Sequence, residues 1–389
     1  MARPPKVALL IETSSSYGRG LLRGIARYAR LHGPWSFFLE PGGQEEQPPP
    51  LREWGVDGVI TLFRTRRQAR RLLAARLPVV DLDFTIPGLV PWGVSNDEVG
   101  VAKIAAEHLL SRGLRHFAFV GWAAVQDGIS LWESQRQRAF ADTIAAAGFP
   151  CALYEWPRRA AERAWGREQK RLARWLRQQP RPLGVMASND QRARHVLEAA
   201  RLAGVGIPDD LAVIGVDNDE TLCELSTPSI SSVSLDTETI GYEGAALLHS
   251  LLKGRRAPRR PLLVPPLGVV ARRSSDLLAM ADPAVVTAVR FMDANLGRPI
   301  RISDVLDAVR MSRKTLELRF RRSLARTPHE ELQRRRIDKV KSLLRQTDWP
   351  LKQIARATGF TYVEHLHLIF RKATGMTPST FRGQGRGTP

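Results

Sequence analysis

Two patterns share this chain, and they meet near Asp282-Pro283. Before the junction, short apolar runs alternate with amphipathic stretches. VALLIE (7–12), WSFFLE (35–40), DGVITLF (57–63), PVVDLDF (78–84), HFAFVGW (116–122), LGVMAS (183–188) and LAVIGVD (211–217) read as strands. Between them, Gly18 to Leu31, VAKIAAEHLLSRG and RARHVLEAARLAG read as helices, the last two closing on a glycine suited to a helix C-terminus. Near-continuous apolar strands alternating with helices indicate parallel sheets covered on both faces. About nine such units suit two doubly wound lobes better than one sheet, with a ligand site where strand C-termini meet loops. The basic, Pro-rich GRRAPRRPLLVPP (254–266) is expected to skirt the surface before a last strand, GVVARRS.

After the junction the strands stop. AVVTAVRFMDANL, ISDVLDAV, SRKTLELRFRRSL, EELQRRRIDKVKSLLRQ, LKQIARAT and VEHLHLIFRKAT follow as helix after helix. The expected organisation is a two-lobed α/β unit over 1–279, a linker at 280–283, an all-α unit over 284–383, and a tail at 384–389 without fixed structure.

Composition excludes several classes. With 43% hydrophobic and 25% charged residues, the chain is not wholly disordered. No run approaches the roughly 18 apolar residues that span a bilayer, so no membrane partner is expected. Met1 to Lys6 lead straight into the first strand, without the regions of a secretory signal. Cys151 and Cys223 make neither a disulfide framework nor a four-ligand zinc site. A cytoplasmic protein is expected. The charge is uneven: residues 283–389 carry 22 Lys and Arg against 9 Asp and Glu, net +13, whereas the preceding 282 residues carry net +7. Codon bias accounts for Arg over Lys, not for this asymmetry. The basic excess is the footprint of a polyanion-binding module.

Gly18-x-Gly20-x-x-x-Gly24 follows a strand, opens a helix and has Glu40 about twenty residues on, which approximates a dinucleotide pattern. Such a strand should feed almost directly into its first glycine, but Thr13 to Tyr17 intervene. No cofactor is expected. The loop TSSSYGR, with Ser14, Tyr17 and Arg19, reads either as the rim of a polar ligand site or as a helix-capping loop. Polar pairs close three strands: Asp81 and Asp83, Asn189-Asp190, and Asp217-Asn218. Arg136 lies in the helical stretch after the 116–122 strand. Carboxylates and amides bond adjacent hydroxyls, a guanidinium adds a forked donor, and an aromatic covers the apolar face of a sugar ring. Trp122, Trp132, Trp156 and Trp165 are candidates for that face. Each Asp or Asn could equally cap a helix; the set of three pairs is the stronger signal.

MASNDQRARHVLEAARLAGVGIPDDLAVIGVDND resembles, nearly position by position, the effector domain of LacI/GalR regulators and periplasmic sugar-binding proteins. The resemblance extends over most of 5–275 and is specific in 183–235. It implies a sugar cleft holding Asn189, Asp190 and Asp217, with Arg136, ahead of Ala139-Phe140 where the family has Gly-Phe, as the sugar-binding arginine. That family carries DNA-binding helices before this domain, and this chain begins at the first strand.

The C-terminal stretch PLKQIARATGFTYVEHLHLIFRKATGMTPSTFR (350–382) resembles the AraC-family helix-turn-helix signature. Ala355 permits close helix approach, Gly359 makes the turn, and Phe360, Leu366 and Phe370 bury the second helix. A weaker copy lies in ISDVLDAVRMSRKTLELRFRRSLARTPHE, anchored by Leu316 and Phe320, with Arg310 where the turn glycine is expected. Two such units, joined by a helix at 330–346, would place recognition helices in adjacent major grooves. Ser312 would cap the first recognition helix, and Arg313, Lys314 and Glu317 would face DNA from it; Tyr362, Glu364, His365 and Leu368 would do so from the second. Arg321, Arg322, Arg371 and Lys372 fit phosphates. His365 and His367, at i,i+2, do not share a helix face, so no metal is expected. Walker A, Gly-x-Ser-x-Gly and His-Glu-x-x-His motifs are not found, and no enzymatic activity is expected.

A sugar-binding domain placed before an AraC-type reader resembles the XylR-type regulators of xylose operons over nearly the whole chain, with echoes in VIGVDN, LLVPPLGVVARRS, DPAV and SDVLDAV. The resemblance implies a cytoplasmic, nucleoid-associated, homodimeric transcription activator. Its partners would be double-stranded DNA, a monosaccharide such as xylose, and RNA polymerase. Two alternatives stay open at this point: a nicotinamide-dependent oxidoreductase using the Gly18–Gly24 loop, and an architectural DNA binder without an effector.

Overall fold

The structure is a computed structural model and describes residues 3–39, 51–63, 65–83, 92–123, 131–157, 165–256, 258, 260–276, 282–324 and 326–384. Glu40, residues 280–281 of the expected linker and residues 385–389 of the expected tail lie outside them.

The first lobe is a parallel sheet of β1 (Lys6–Leu10), β2 (Ser36–Leu39), β3 (Gly58–Thr61) and β4 (Val79–Asp81), in the order β2-β1-β3-β4. Period-2 alternation explains its two layers. Val7 and Leu9 face α1 (Ser16–His32), while Ala8 and Leu10 face α2 (Leu51–Trp54) and α3 (Arg66–Ala74). After β5 (Val94–Asn96) and α4 (Glu98–Leu110), the second lobe begins with β6 (His116–Trp122), α5 (Leu131–Ala146), β7 (Cys151–Trp156), α6 (Trp165–Gln178) and β8 (Leu183–Ala187). It continues with α7 (Asp190–Ala203), β9 (Leu211–Val216), α8 (Glu220–Leu225) and β10 (Ser231–Ser234). Its sheet runs β12-β10-β9-β8-β6-β7, with β12 (Gly268–Val270) antiparallel at one edge. Phe117 and Phe119 pack against α4 and α5, and Ala118 and Val120 against α6 and α7. These are the two doubly wound lobes read from the apolar alternation.

Three crossings join the lobes: β5 into α4, β10 into α9 (Thr237–Leu252), and β11 (Leu262–Val264) into β12. They are bonded to one another. β11 runs parallel to β5, Asp97 N donates to Val264 O at 2.9 Å, and Leu267 N to Ser234 O at 2.8 Å.

The glycines that resembled a dinucleotide fingerprint serve packing. A Cβ on Gly20 would lie 1.9 Å from Thr237 Oγ1, and one on Gly24 2.0 Å from the Glu238 carbonyl. Across the seam, a Cβ on Gly241 would lie 2.0 Å from the Leu21 carbonyl. α1 and α9 therefore touch backbone to backbone, and the Gly20 and Gly24 surface is covered by protein. Gly24→Ala should cost about 1–3 kcal/mol, the usual range for overpacking, read as a lower urea midpoint for the α/β unit.

After a 3₁₀ turn at Arg273–Ser275, the remaining elements are helical. Asp282 caps α10 (Pro283–Ala294) through Ala284 N, with proline at the first helical position. Then come α11 (Ile302–Val309), α12 (Arg313–Leu324), α13 (Pro328–Gln346), α14 (Leu351–Ala357), α15 (Val363–Thr374) and α16 (Pro378–Gln384). α16 reaches Gln384, the first residue of the expected tail. Arg310 adopts the left-handed C-cap conformation of α11, φ 51°, in the place of a glycine. No described helix is long and apolar enough to cross a membrane.

Candidate functional site

Strand ends of both lobes open onto one cleft of about 400 Å³, within the range of small-molecule sites. The first lobe contributes Ser14, Tyr17 and Asp83, with Asn96 and Glu98 from the first crossing. The second contributes Trp132, Arg136, Asn189, Asp190 and Asp217. Eight residues read from the sequence are thus brought together: Ser14, Tyr17, Asp83, Trp132, Arg136, Asn189, Asp190 and Asp217.

Arg136 is the centre of the arrangement and is 3% exposed. Its Nε donates to Glu98 Oε2 at 2.7 Å, its Nη1 to the Ser188 carbonyl, and its guanidinium lies 4.7 Å from the Trp132 ring centroid. Glu98 Oε1 and Ser188 Oγ, both buried, have no hydrogen-bond partner among the described residues. Burial pushes the Glu98 carboxyl up, against the opposing pull of Arg136.

Asp190 Oδ1 accepts from Ser232 Oγ at 2.6 Å, and Oδ2 from Asp219 N at 2.8 Å. Gly215 leaves the room for this: a Cβ there would lie 2.2 Å from Asp190 Oδ1. Asp217 sits in a strained backbone conformation, φ 104°, which carries its side chain off the end of β9. Burial, with Asp190 nearby, raises its pKa well above the usual carboxylate range, and burial pushes Asp190 up to about 7. The sign of the pH effect follows. Above about pH 4 the unfolded chain ionises these groups while the fold keeps them protonated. Stability of the unliganded protein should therefore fall as pH rises to about 7, where the Asp190 contribution levels off. Asp217→Asn replaces a carboxyl that the fold must protonate with a group that needs no proton, and keeps a residue tolerant of positive φ. Its unliganded melting midpoint at pH 8 should rise by roughly 3 °C, about 1 kcal/mol for a domain of this size, and the gain should vanish near pH 4.

Capping and cleft roles coincide at Asn189, whose side chain accepts from Arg192 N at 2.9 Å while lining the cleft. The other sequence candidates lie elsewhere. Asp81 is buried under Asp83, accepting from Phe63 N and Asp83 N. Asn218 Oδ1 accepts from Arg272 Nη1 at 2.9 Å, behind the strand end. Arg19 braces the loop through the Thr13 and Ser14 carbonyls. The Trp122 ring stacks on the Arg192 guanidinium at 3.9 Å, Trp156 packs on His195, and Trp165 meets the edge of His195. Trp132 is the tryptophan that lines the cleft. Glu12, Asn96, Glu98 and Asp219 also line it without having been read from the sequence. For Asn96 and Glu98 the available signal was Ser95-Asn96-Asp97-Glu98, a polar strand end like the other three.

The helical unit forms a second site. α13 is its spine: Leu332 packs with Leu316, Phe320, Val305 and α10, while Ile337, Val340 and Leu344 pack with Ile354, Phe360, Leu366 and Phe370. Buried Arg336 on α13 donates to the Ile300 carbonyl, and a Cβ on Gly359, φ 71°, would lie 2.3 Å from the Arg298 carbonyl. The two helix-turn-helix units are therefore locked to each other. Burial opposes ionisation of Glu331, but Arg334, Arg335 and Arg326 hold its carboxyl at about 2.

α12 and α15 leave one face outward. Arg313, Lys314, Arg321 and Arg322 are exposed on α12, and Glu364, His365, Leu368, Arg371 and Lys372 on α15, with Tyr362 exposed just before it. Arg313 Nε is bonded to Glu317 Oε1 at 2.9 Å, and Ser312 Oγ accepts from Thr315 N.

A two-lobed effector cleft joined to a double helix-turn-helix defines a DNA-binding transcription regulator with a sugar-type effector domain. The comparisons agree. Residues 106–275 match the periplasmic binding protein-like domain and residues 305–384 a helix-turn-helix domain. The chain is 31% identical to the xylose operon regulatory protein of Haemophilus influenzae over 386 residues, 97% of this chain and 98% of that one. It is 30% identical to its Escherichia coli K12 counterpart, covering 97% and 96%. The solved structure of the xylose-binding transcription activator XylR superimposes with a TM-score of 0.63 at 29% identity, covering 98% of both chains. The chain belongs to the xylose operon regulatory protein family.

Proposed function

We propose that this protein is a transcription activator switched by a neutral monosaccharide, D-xylose. Residues 1–279 act as the effector unit and 284–383 as the DNA reader. The observation that carries the reading is the composition of the cleft. Asp83, Glu98, Asp190 and Asp217 crowd a buried site beside Arg136, and Glu98 Oε1 lacks a partner among the described residues. Such a site suits a ligand rich in hydroxyl donors and disfavours a sugar phosphate or uronate, whose negative charge it would repel. Trp132 offers the apolar wall for a ring face. Xylose as the particular sugar, and activation as the direction, are supported by the names of the relatives. Sugar would favour the closed arrangement of the lobes and thereby alter how paired subunits present their readers to DNA and RNA polymerase in the cytoplasm.

Calorimetric titration with xylose, arabinose, ribose, glucose, fucose and rhamnose tests the effector. Micromolar binding of xylose, weakened about tenfold or more by Asp217→Asn through loss of a carboxyl hydrogen-bond partner in the cleft, is the expected result. DNA affinity for a promoter fragment, measured with and without the bound sugar, tests the switch. Equal affinity and equal complex geometry in the two states would refute it.

A further inference from the structure

The two recognition helices repeat in register at an offset of 50 residues. Leu316 and Phe320 of α12 correspond to Leu366 and Phe370 of α15, and all four are buried. The same register pairs Leu318 with Leu368, and both are exposed, at 51% and 68%. A lone exposed leucine needs no explanation. Here it recurs while most of its outward neighbours diverge: Lys314 stands opposite Glu364, Thr315 opposite His365, and Glu317 opposite His367. What the two outward faces share is the leucine and the basic pair that follows it, Arg321-Arg322 and Arg371-Lys372.

Helical geometry groups these positions. Residues at i−4, i+3 and i+4 are neighbours on a helix surface, so Leu318 lies among Lys314, Arg321 and Arg322, and Leu368 among Glu364, Arg371 and Lys372. An apolar side chain in the middle of a polar, phosphate-facing stripe meets the base edges of the major groove. The one apolar group on those edges is the thymine C5-methyl.

Building on the DNA-reading role proposed above, we infer that Leu318 and Leu368 each read a thymine methyl, at equivalent places in two successive major grooves. The target site then carries a thymine at the same position in two segments about 10 base pairs apart. Arg313, Lys314, Glu364 and His365 make the remaining base choices, which differ between the segments because the residues differ. Locking of the two units through α13, Arg336 and Gly359 keeps that spacing constant.

The test uses the full-length protein with D-xylose present. Bound duplexes are selected from a random pool, and each thymine of the selected site is then replaced by uracil, which removes only the methyl. One replacement in each segment should weaken binding about three- to fivefold, the worth of one buried methyl. Leu318→Ala should abolish sensitivity to uracil in one segment, and Leu368→Ala in the other, each leaving the second intact. Both leucines are exposed, so these variants should fold normally, which circular dichroism verifies. A selected site whose uracil sensitivity is absent, or persists in both variants, overturns the inference and leaves the DNA-reading role standing. A pool that yields no preferred sequence, with or without sugar, removes the DNA-reading role and the inference with it.

Discussion

Arg136→Ala protein should lose sugar binding and about 3–5 kcal/mol of stability in the α/β unit, because the substitution strands Glu98 as a buried, uncompensated carboxylate. The partners are 3% and 2% exposed at the side chain, so water cannot replace the guanidinium. The Trp132 ring would also lose the cation that it covers. Chemical unfolding followed by tryptophan fluorescence measures the loss. The double variant Arg136→Met/Glu98→Leu should recover much of the stability and none of the binding, since a matched apolar pair carries no desolvation penalty. Failure of the single variant to destabilise would mean that Glu98 is neutral in the fold, and that the ion pair is not what organises the cleft.

Phe370→Ala should have an effect of similar size in the other half of the molecule. Phe370 is fully buried among Leu366, Ile354 and Phe360, with its ring 5.3 Å from that of Phe381. Truncation of such an aromatic costs about 3–5 kcal/mol. The second helix-turn-helix unit should unfold at lower temperature, and specific DNA affinity should collapse. Sugar titration of the same protein should be unchanged. Calorimetry resolves the outcome, because a chain built from separate cores need not unfold in one step. Equal loss of sugar binding would show that the two cores are not separable in this way.

The reading from sequence succeeded where a pattern is local and repeated. ISDVLDAV and VEHLHLIFRKAT coincide with α11 and α15 residue for residue. Buried strands such as β6, β8 and β9 announced themselves as apolar runs. β5, β10 and β11 did not: they are three or four residues long, and VSN and SSVS carry polar groups inward. β7 was missed for another reason, since CALYEW lies at a sheet edge and Leu153 and Glu155 within it are exposed. Missing β5 concealed its polar end, and with it Asn96 and Glu98. Tryptophans were the least legible, because each could stack on any cation or ring brought near by the fold. Trp122 and Trp156 found Arg192, and Trp132 found Arg136.

The three stitched crossings have a mechanical consequence. Hydrogen bonds from Asp97 to Val264 and from Leu267 to Ser234 hold the strands side by side, so none can slide past its neighbours. Relative movement of the lobes reduces to rotation about a single line, the geometry of a door rather than of a ball joint. Glu98 and Leu235, which adjoin two of the crossings, also line the cleft, so a captured molecule presses on the pivot itself. Beyond the third crossing, β12 and the turn at Arg273–Ser275 lead within eight residues to Pro283. Whatever angle the pivot adopts, β12 and the turn at Arg273–Ser275, bonded to β9 and β10, inherit it as one coordinate.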